Sequence, residues 1–343
     1  MTSGNAGPTT RRRYIGAALP AHASGTAGGP PALPSALDTR GPPLHVARPE
    51  MTDQKLTFLR RFASTAILWS IALWTIFTGW EPGFVLLVSG LGLVGLWEYY
   101  SMLDAKKMPN FKMFGMFCGA LMLGGSFYWL KWRHAMPDAI YDFEIGTLLL
   151  FMLVVFARQM FLRVVELVPL ETMAFTLFGL LYVPWPFSFV AKIVYLTPRI
   201  DGHVTGHFYV LFLVLVTKFS DMGAYLTGSL IGKHPLVPHI SPKKTWEGFF
   251  GALVFSVGGG CGLLALMPEK LHFLKQTDAV ILGLILGFAA IVGDLAESLL
   301  KRSCGAKDSG KFLPGIGGAL DLIDSILFTA PMMFFYLRFI LPR

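Results

Sequence analysis

Charge is scarce in this chain. Of 343 residues only 15% are Asp, Glu, Lys or Arg, against about 25% in an average soluble domain. Residues of hydrophobic type make up 54%, and the mean hydropathy is +0.57. This balance excludes a disordered protein, a collagen-like fibre and an ordinary soluble enzyme. Cysteine is nearly absent. Cys118, Cys261 and Cys304 lie far apart and form no CxxC, so a disulfide scaffold and a cysteine zinc site are excluded, and small apolar filler is the role left to them. No basic run with interleaved aromatics occurs, so no nucleic-acid partner is expected. The excess of 29 Lys and Arg over 21 Asp and Glu instead suits loops that face anionic lipid. What remains is an all-α, polytopic integral membrane protein.

Residues 1–54 stand apart. The stretch up to residue 50 is rich in Gly, Pro, Ala, Ser and Thr, and such a composition cannot bury a core, so a disordered tail is expected. Arg11, Arg12 and Arg13 are not followed by an apolar run long enough for a signal peptide. Met51 immediately precedes Lys55, Arg60, Arg61 and the first apolar segment. Met1 and Met51 therefore compete as the start, and N-terminal sequencing of the native protein separates them.

A helix needs about 20 mostly apolar residues to cross a bilayer. Spans are expected over 62–79, 83–102, 112–130, 145–163, 172–195, 206–230, 249–267, 278–300 and 320–341, about nine in all. Apolar runs are continuous rather than alternating, which argues against a β-barrel. With the N-terminus inside, one set of flanks holds Lys55, Arg60, Arg61, Lys106, Lys107, Lys112, Arg158, Arg163, Lys233, Lys243, Lys244, Lys301, Arg302, Lys307 and Lys311. The other set holds Lys131, Arg133, Lys192, Arg199, Lys270, Lys275, Arg338 and Arg343. The richer set belongs inside, giving an N-in, C-out expectation. Residues 55–200 carry the N-terminal spans, and 201–343 the spans and basic loops expected to do chemistry.

Charged residues within spans are costly and usually face protein or a wet cavity. The sixth span carries Lys218, Asp221 and Tyr225 in KFSDMGAYLTG, all on one helical face. A structural ion pair explains these residues as well as a site does. The following loop holds Ser241, Lys243, Lys244 and Thr245 in SPKKT. Lysine point charges flanked by hydroxyls suit phosphate oxygens, although a basic loop that merely fixes topology would look similar. No GxxxxGK[ST] precedes it, so it is not a P-loop. The eighth span ends GDLAESLLKR, with Asp294, Ser298 and Lys301 on one face and Glu297 and Arg302 beside it. A Gly-rich loop with Lys307, Asp308 and Lys311 leads to ALDLIDS, where Asp321, Asp324 and Ser325 share a face. Two helices thus bring carboxylates to one membrane boundary. One or two Mg²⁺ ions need such anchors, and Mg²⁺ serves phosphoryl and nucleotidyl transfer.

The stretch Ser298–Ser325, SLLKRSCGAKDSGKFLPGIGGALDLIDS, resembles the signature of the phosphatidate cytidylyltransferases (CDP-diacylglycerol synthases). That pattern is Ser, two residues, Lys-Arg, four residues, Lys-Asp, a spacer, Pro-x-x-Gly-Gly, two residues and Asp-x-x-Asp-Ser. The resemblance extends upstream through Asp294, SPKKTWEG and Lys218 to Gly228, and with the spans covers most of 55–343. Two positions depart: Ile316 stands where the family usually has His, and Leu322 where it usually has Arg. A divergent branch, an altered lipid substrate and lost activity would each account for these changes; every metal-type carboxylate and the lysine set remain, which favours the divergent branch.

The resemblance implies a nucleotidyltransferase that joins CTP and phosphatidate into CDP-diacylglycerol with release of pyrophosphate. It implies Mg²⁺ or Mn²⁺ at Asp294 and Asp321, supported by Asp221, Glu297 and Asp324, with a second monovalent or divalent cation as a further expectation. Catalytic roles fall to Ser298, Lys301, Arg302, Lys307 and Asp308. Substrate binding falls to Lys218, Tyr225, Ser241, Lys243, Lys244, Thr245 and Lys311. A homodimer in a bacterial inner membrane, its site facing the cytoplasm, is the implied setting. A CDP-alcohol phosphotransferase is disfavoured because DGxxAR…GxxxDxxxD is absent. A kinase or cytidylyltransferase for another polar or isoprenoid lipid shares the same logic. A transporter would place charges at the midplane of two matching halves, whereas here they crowd one end of the C-terminal third.

Overall fold

The computed structural model describes residues 51–132, 137–162, 166–196, 206–310 and 317–340, without the side chains of 51–62, 132, 137–139 and 196. The tail expected over 1–50, Lys311 and Ile316 lie outside the described residues. Helix α1 (Met51–Thr78) is followed by α2 (Glu81–Ala105), α3 (Lys112–Trp132), α4 (Pro137–Met160), α5 (Val168–Tyr182), α6 (Pro184–Leu196) and α7 (Gly206–Ile231). Strands β1 (Pro235–Val237) and β2 (Ser241–Thr245) precede α8 (Trp246–Leu266), α9 (Gln276–Ser303) and α10 (Ala319–Ile340). Among the described residues 8 segments are long and apolar enough to cross a membrane, and the apolar part of α1, Ala63–Thr78, is shorter. The helical, polytopic architecture expected from composition is therefore the one observed.

Three boundaries differ from the sequence reading, each for a local reason. Helix α1 begins at Met51, so residues 51–54 are helical rather than part of the tail; no Gly or Pro occurs from Met51 to Thr78 to interrupt it. Helix α4 begins at Pro137 rather than near 145. Its polar first turns are accommodated because Glu144 is buried against Lys192 of α6, with Nζ 2.6 Å from Oε1 and both side chains 2% exposed. Glu144 also accepts from Ser188 Oγ at 3.0 Å and Trp185 Nε1 at 3.2 Å. The span expected over 172–195 is two helices, broken between Tyr182 and Pro184. Pro184 has no N–H to give back to the preceding turn, and it starts α6 at a position where that loss is tolerated.

The N-terminal helices are tied together by buried polar contacts. Tyr99 and Tyr100 of α2 are fully buried and donate to the carbonyls of Phe175 and Thr176 in α5 at 3.0 and 2.9 Å. Their phenols thus satisfy backbone acceptors that lipid could not. Helices α7, α8, α9 and α10 pack in sequence order. The C-terminal ends of α7 and α9 and the N-terminal ends of α8 and α10 meet around one cavity.

Between α7 and α8 the chain forms an antiparallel hairpin, pairing Pro235 with Thr245 and Val237 with Ser241. The sequence reading treats this stretch as a loop, and Pro235, Pro238 and Pro242 would disfavour a longer strand. The hairpin is short enough to place its prolines where ladder donors are not required. Thr245, its last residue, accepts from the Gly248 N–H at 3.1 Å and caps α8. Thr245→Ala should cost about 1 kcal/mol, read as a lowered unfolding temperature in detergent.

Candidate active site

A cavity of about 490 Å³ opens among α7, the hairpin, α8, α9 and α10. Lys218 lies about 20 Å along the α7 axis from the end of that helix, given 1.5 Å per residue. The cavity therefore enters the apolar layer from one end of the bundle. Its walls hold Lys218, Asp221, Tyr225, Ser241, Lys243, Lys244, Thr245, Asp294, Glu297, Lys301, Asp321, Asp324 and Ser325.

The charges are paired across elements. Lys244 from β2 places Nζ 2.6 Å from Asp294 Oδ2 on α9. Lys301 on α9 contacts Glu297 Oε2 at 2.6 Å, one turn back, and Asp321 Oδ1 on α10 at 2.9 Å. Asp321 Oδ2 also accepts from the Gly318 N–H at 2.9 Å. Lys218 and Asp221 pair at 3.0 Å within α7. Asp324 Oδ1 accepts from the N–H of Ser325 at 2.5 Å and from its hydroxyl at 3.2 Å. His234 Nδ1 lies 2.6 Å from Glu247 Oε1, fastening the hairpin to α8.

Among the described residues one group of carboxylates is close enough to share a metal ion: Asp294, Glu297 and Asp324, with ligand oxygens all within 4.8 Å of one another. Glu297 and Asp324 are buried, and Glu297 Oε1 has no hydrogen-bond partner. A buried, unpaired carboxylate oxygen is costly unless a cation meets it. The donor set is all oxygen and suits a hard divalent cation such as Mg²⁺. The residues present thus fit such an ion. The sequence reading places the ion at Asp294 and Asp321, with Asp221, Glu297 and Asp324 in support. In the structure Asp321 contacts Lys301 and the Gly318 N–H, while Glu297 and Asp324 share the close group with Asp294.

The remaining assigned positions separate by location. Ser298, Arg302, Lys307 and Asp308 are not among the residues lining the cavity; Arg302, Lys307 and Asp308 are exposed. Tyr225 lies at the cavity edge, 74% exposed. Leu322 lines not the polar cavity but a largely apolar groove with Leu73, Phe84 and Val214, and Lys218 borders both. Ser220 and Ser325 line the cavity without having been assigned roles; their signal is one helical turn or less of separation from Lys218 and Asp321. Just beyond α9, burial pushes the Cys304 thiol up, as suits unreactive filler.

Comparison with known proteins places the chain in a family. The profile of the cytidylyltransferase family matches residues 59–340. The chain is 39% identical over 163 residues to a phosphatidate cytidylyltransferase of Mycobacterium bovis, covering 47% of this chain and 49% of that protein. It is 30% identical over 262 residues to one of Chlamydia pneumoniae, covering 76% and 83%. It is also 36% identical over 171 residues to the uncharacterized protein YnbB of Escherichia coli, covering 50% and 55%. The matched segments thus span about half the length of the first and third of these relatives.

Proposed function

The chain belongs to the cytidylyltransferase family, and from that membership we propose that it transfers the cytidylyl group of CTP to phosphatidate, giving CDP-diacylglycerol and pyrophosphate. Relatives bearing the name phosphatidate cytidylyltransferase support this substrate pair. The single observation that carries it in the structure is the convergence of five carboxylates, three of them close enough to share a cation, and four lysines, Lys218, Lys243, Lys244 and Lys301, around one cavity that enters the apolar layer. A lipid phosphate meets a soluble triphosphate where such a cavity opens. Family membership favours neither the lipid-kinase nor the transporter alternative. The protein is an integral membrane protein, and its bacterial relatives point to a bacterial membrane. An inner-membrane location, a cytoplasmic cavity mouth and a homodimer are part of the proposal; the loop-charge bias supports the orientation.

In the proposed reaction a phosphatidate oxygen attacks the α-phosphorus of CTP. A P–O bond forms there, the α–β bridging P–O bond breaks, and its electron pair leaves with pyrophosphate. A phosphate monoester is already anionic near neutral pH, so no side chain has to remove a proton. The protein supplies placement and charge stabilisation. Lys243 and Lys244, on a hairpin latched to α8, are suited to hold the triphosphate. Lys301, fixed between Glu297 and Asp321, keeps a positive charge at the floor of the cavity. Asp294, Glu297 and Asp324 would hold Mg²⁺ or Mn²⁺, which when bound offsets phosphate charge. A second cation, monovalent or divalent, is compatible with Asp221 and Asp321 nearby.

CTP-dependent pyrophosphate release in phosphatidate micelles tests the reading; no release with phosphatidate, but release with another lipid phosphate, would replace the acceptor. Lys243→Gln with Lys244→Gln should raise the CTP KM about tenfold or more, because each lost phosphate contact to a charged group is worth about 1.5–3 kcal/mol. An unchanged KM in a correctly inserted double variant would leave these lysines with topology alone. Leu322→Arg, with or without Ile316→His, should change the rate by no more than about tenfold, or about 1.4 kcal/mol, since Leu322 lies outside the cavity. A silent wild type beside an active double variant would mark the chain as a decayed relative.

A further inference from the structure

Glu98 sits about two turns from the C-terminal end of α2, far in sequence from every residue assigned to the site. It is 4% exposed, and an ionisable side chain buried within a span needs a compensating partner. Its partner is the beginning of α10. Glu98 Oε2 accepts the Leu320 N–H at 2.9 Å and the Ser309 hydroxyl at 3.4 Å. The first N–H groups of a helix have no acceptor within it, and the positive end of the helix dipole favours an anion there. The neighbouring glycines are shaped to the carboxylate. A Cβ at Gly318 would lie 2.5 Å from Glu98 Oε2, and one at Gly310 would collide with Oε1. One turn before Glu98, a Cβ at Gly95 would stand 3.7 Å from the Leu320 Cα, so α2 and α10 approach closely at this level.

We propose that Glu98 is a positioning residue for the active site: by clamping Ser309 and Leu320 it fixes where α10 starts, and so where Asp321 and Asp324 present their carboxylates. The inference rests on the proposed reaction for its catalytic meaning, but not for its geometry. Glu98 is not among the residues lining the cavity, whose lysines are Lys218, Lys243, Lys244 and Lys301. Its influence should therefore fall on the carboxylate side of the site and spare nucleotide binding.

The test uses the full chain in nanodiscs, with Glu98→Ala and Glu98→Gln. Three quantities are read: amide hydrogen exchange over residues 317–324, the Mg²⁺ concentration for half-maximal CDP-diacylglycerol formation, and the CTP KM. For Glu98→Ala we expect exchange at Leu320 and the Mg²⁺ requirement each to rise about tenfold, the scale for loss of a group that orients metal ligands, with CTP KM within about twofold. Glu98→Gln keeps one acceptor oxygen and should fall between, near threefold on that same scale. A role in stability alone would lower the active fraction and leave exchange at Leu320 and the Mg²⁺ requirement at their wild-type values; that result overturns the proposal. If Glu98→Ala is not recovered folded, the same two readouts on Glu98→Gln decide. If wild type makes no CDP-diacylglycerol, the proposed reaction fails, and the exchange measurement still decides the clamp.

Discussion

Glu297→Gln and Asp324→Asn should each lower CDP-diacylglycerol formation by about 10²-fold or more, the upper range for disturbing a metal site. Each change keeps the shape of the side chain and removes a formal charge. Both residues belong to the group whose oxygens lie within 4.8 Å of one another, and both are buried, so solvent does not replace what is lost. Glu297→Gln also deprives Lys301 of one of its two carboxylate partners, at 2.6 Å. Asp294→Asn should act in the same direction. Asp308 provides the contrast, because it is exposed and outside the cavity; Asp308→Asn should stay within about threefold of wild type, under about 1 kcal/mol. Turnover at saturating Mg²⁺ separates the outcomes. Near-normal activity for Glu297→Gln or Asp324→Asn would remove that residue from the metal site, and a collapse for Asp308→Asn would return it to the chemistry.

The second large effect concerns stability. Lys192→Met should destabilise the folded protein by about 3–5 kcal/mol, the usual cost of leaving one member of a buried ion pair alone. Lys192 and Glu144 are each 2% exposed, and after the change Glu144 faces the helix interior without its cation. Adding Glu144→Gln should recover much of the loss. The amide is neutral, and its oxygen can still accept from Ser188 and Trp185, which contact Glu144 at 3.0 and 3.2 Å. Denaturant unfolding in micelles distinguishes the cases. A double variant no better than Lys192→Met would mean that shape, not charge, governs this contact.

Much of the molecule is legible in its sequence. Apolar runs of about 20 residues announce spans regardless of tertiary context. The run from Asp294 to Ser325 brings Asp294, Glu297, Lys301, Asp321 and Asp324 to one cavity because they lie on adjoining helix ends, whereas Ser298, Arg302, Lys307 and Asp308, though within that run, lie outside the cavity. Long-range pairs are another matter. Glu144 and Lys192 are 48 residues apart, and Glu98 and Leu320 are separated by 222; no periodicity links them. The balance between Asp321 and Glu297 escapes the sequence for a related reason. Both lie on a helical face toward the cavity, and only the position of Lys301 between them decides which oxygen is engaged and which is left open. The break at Pro184 is visible in the sequence, but the apolar character of both halves conceals it.

The clamp on α10 also bears on how the chain is made. Helices enter the bilayer in order of synthesis, and α2 is in place long before α10 exists. Until residues 317–340 arrive, Glu98 has no backbone N–H from Leu320 to meet its charge, and Lys301 lacks Asp321. Two ionisable groups then stand in an apolar surrounding with part of their compensation missing. A chain lacking α10 should therefore be less stable in the bilayer than the full chain, because the Glu98 and Lys301 contacts with α10 are missing.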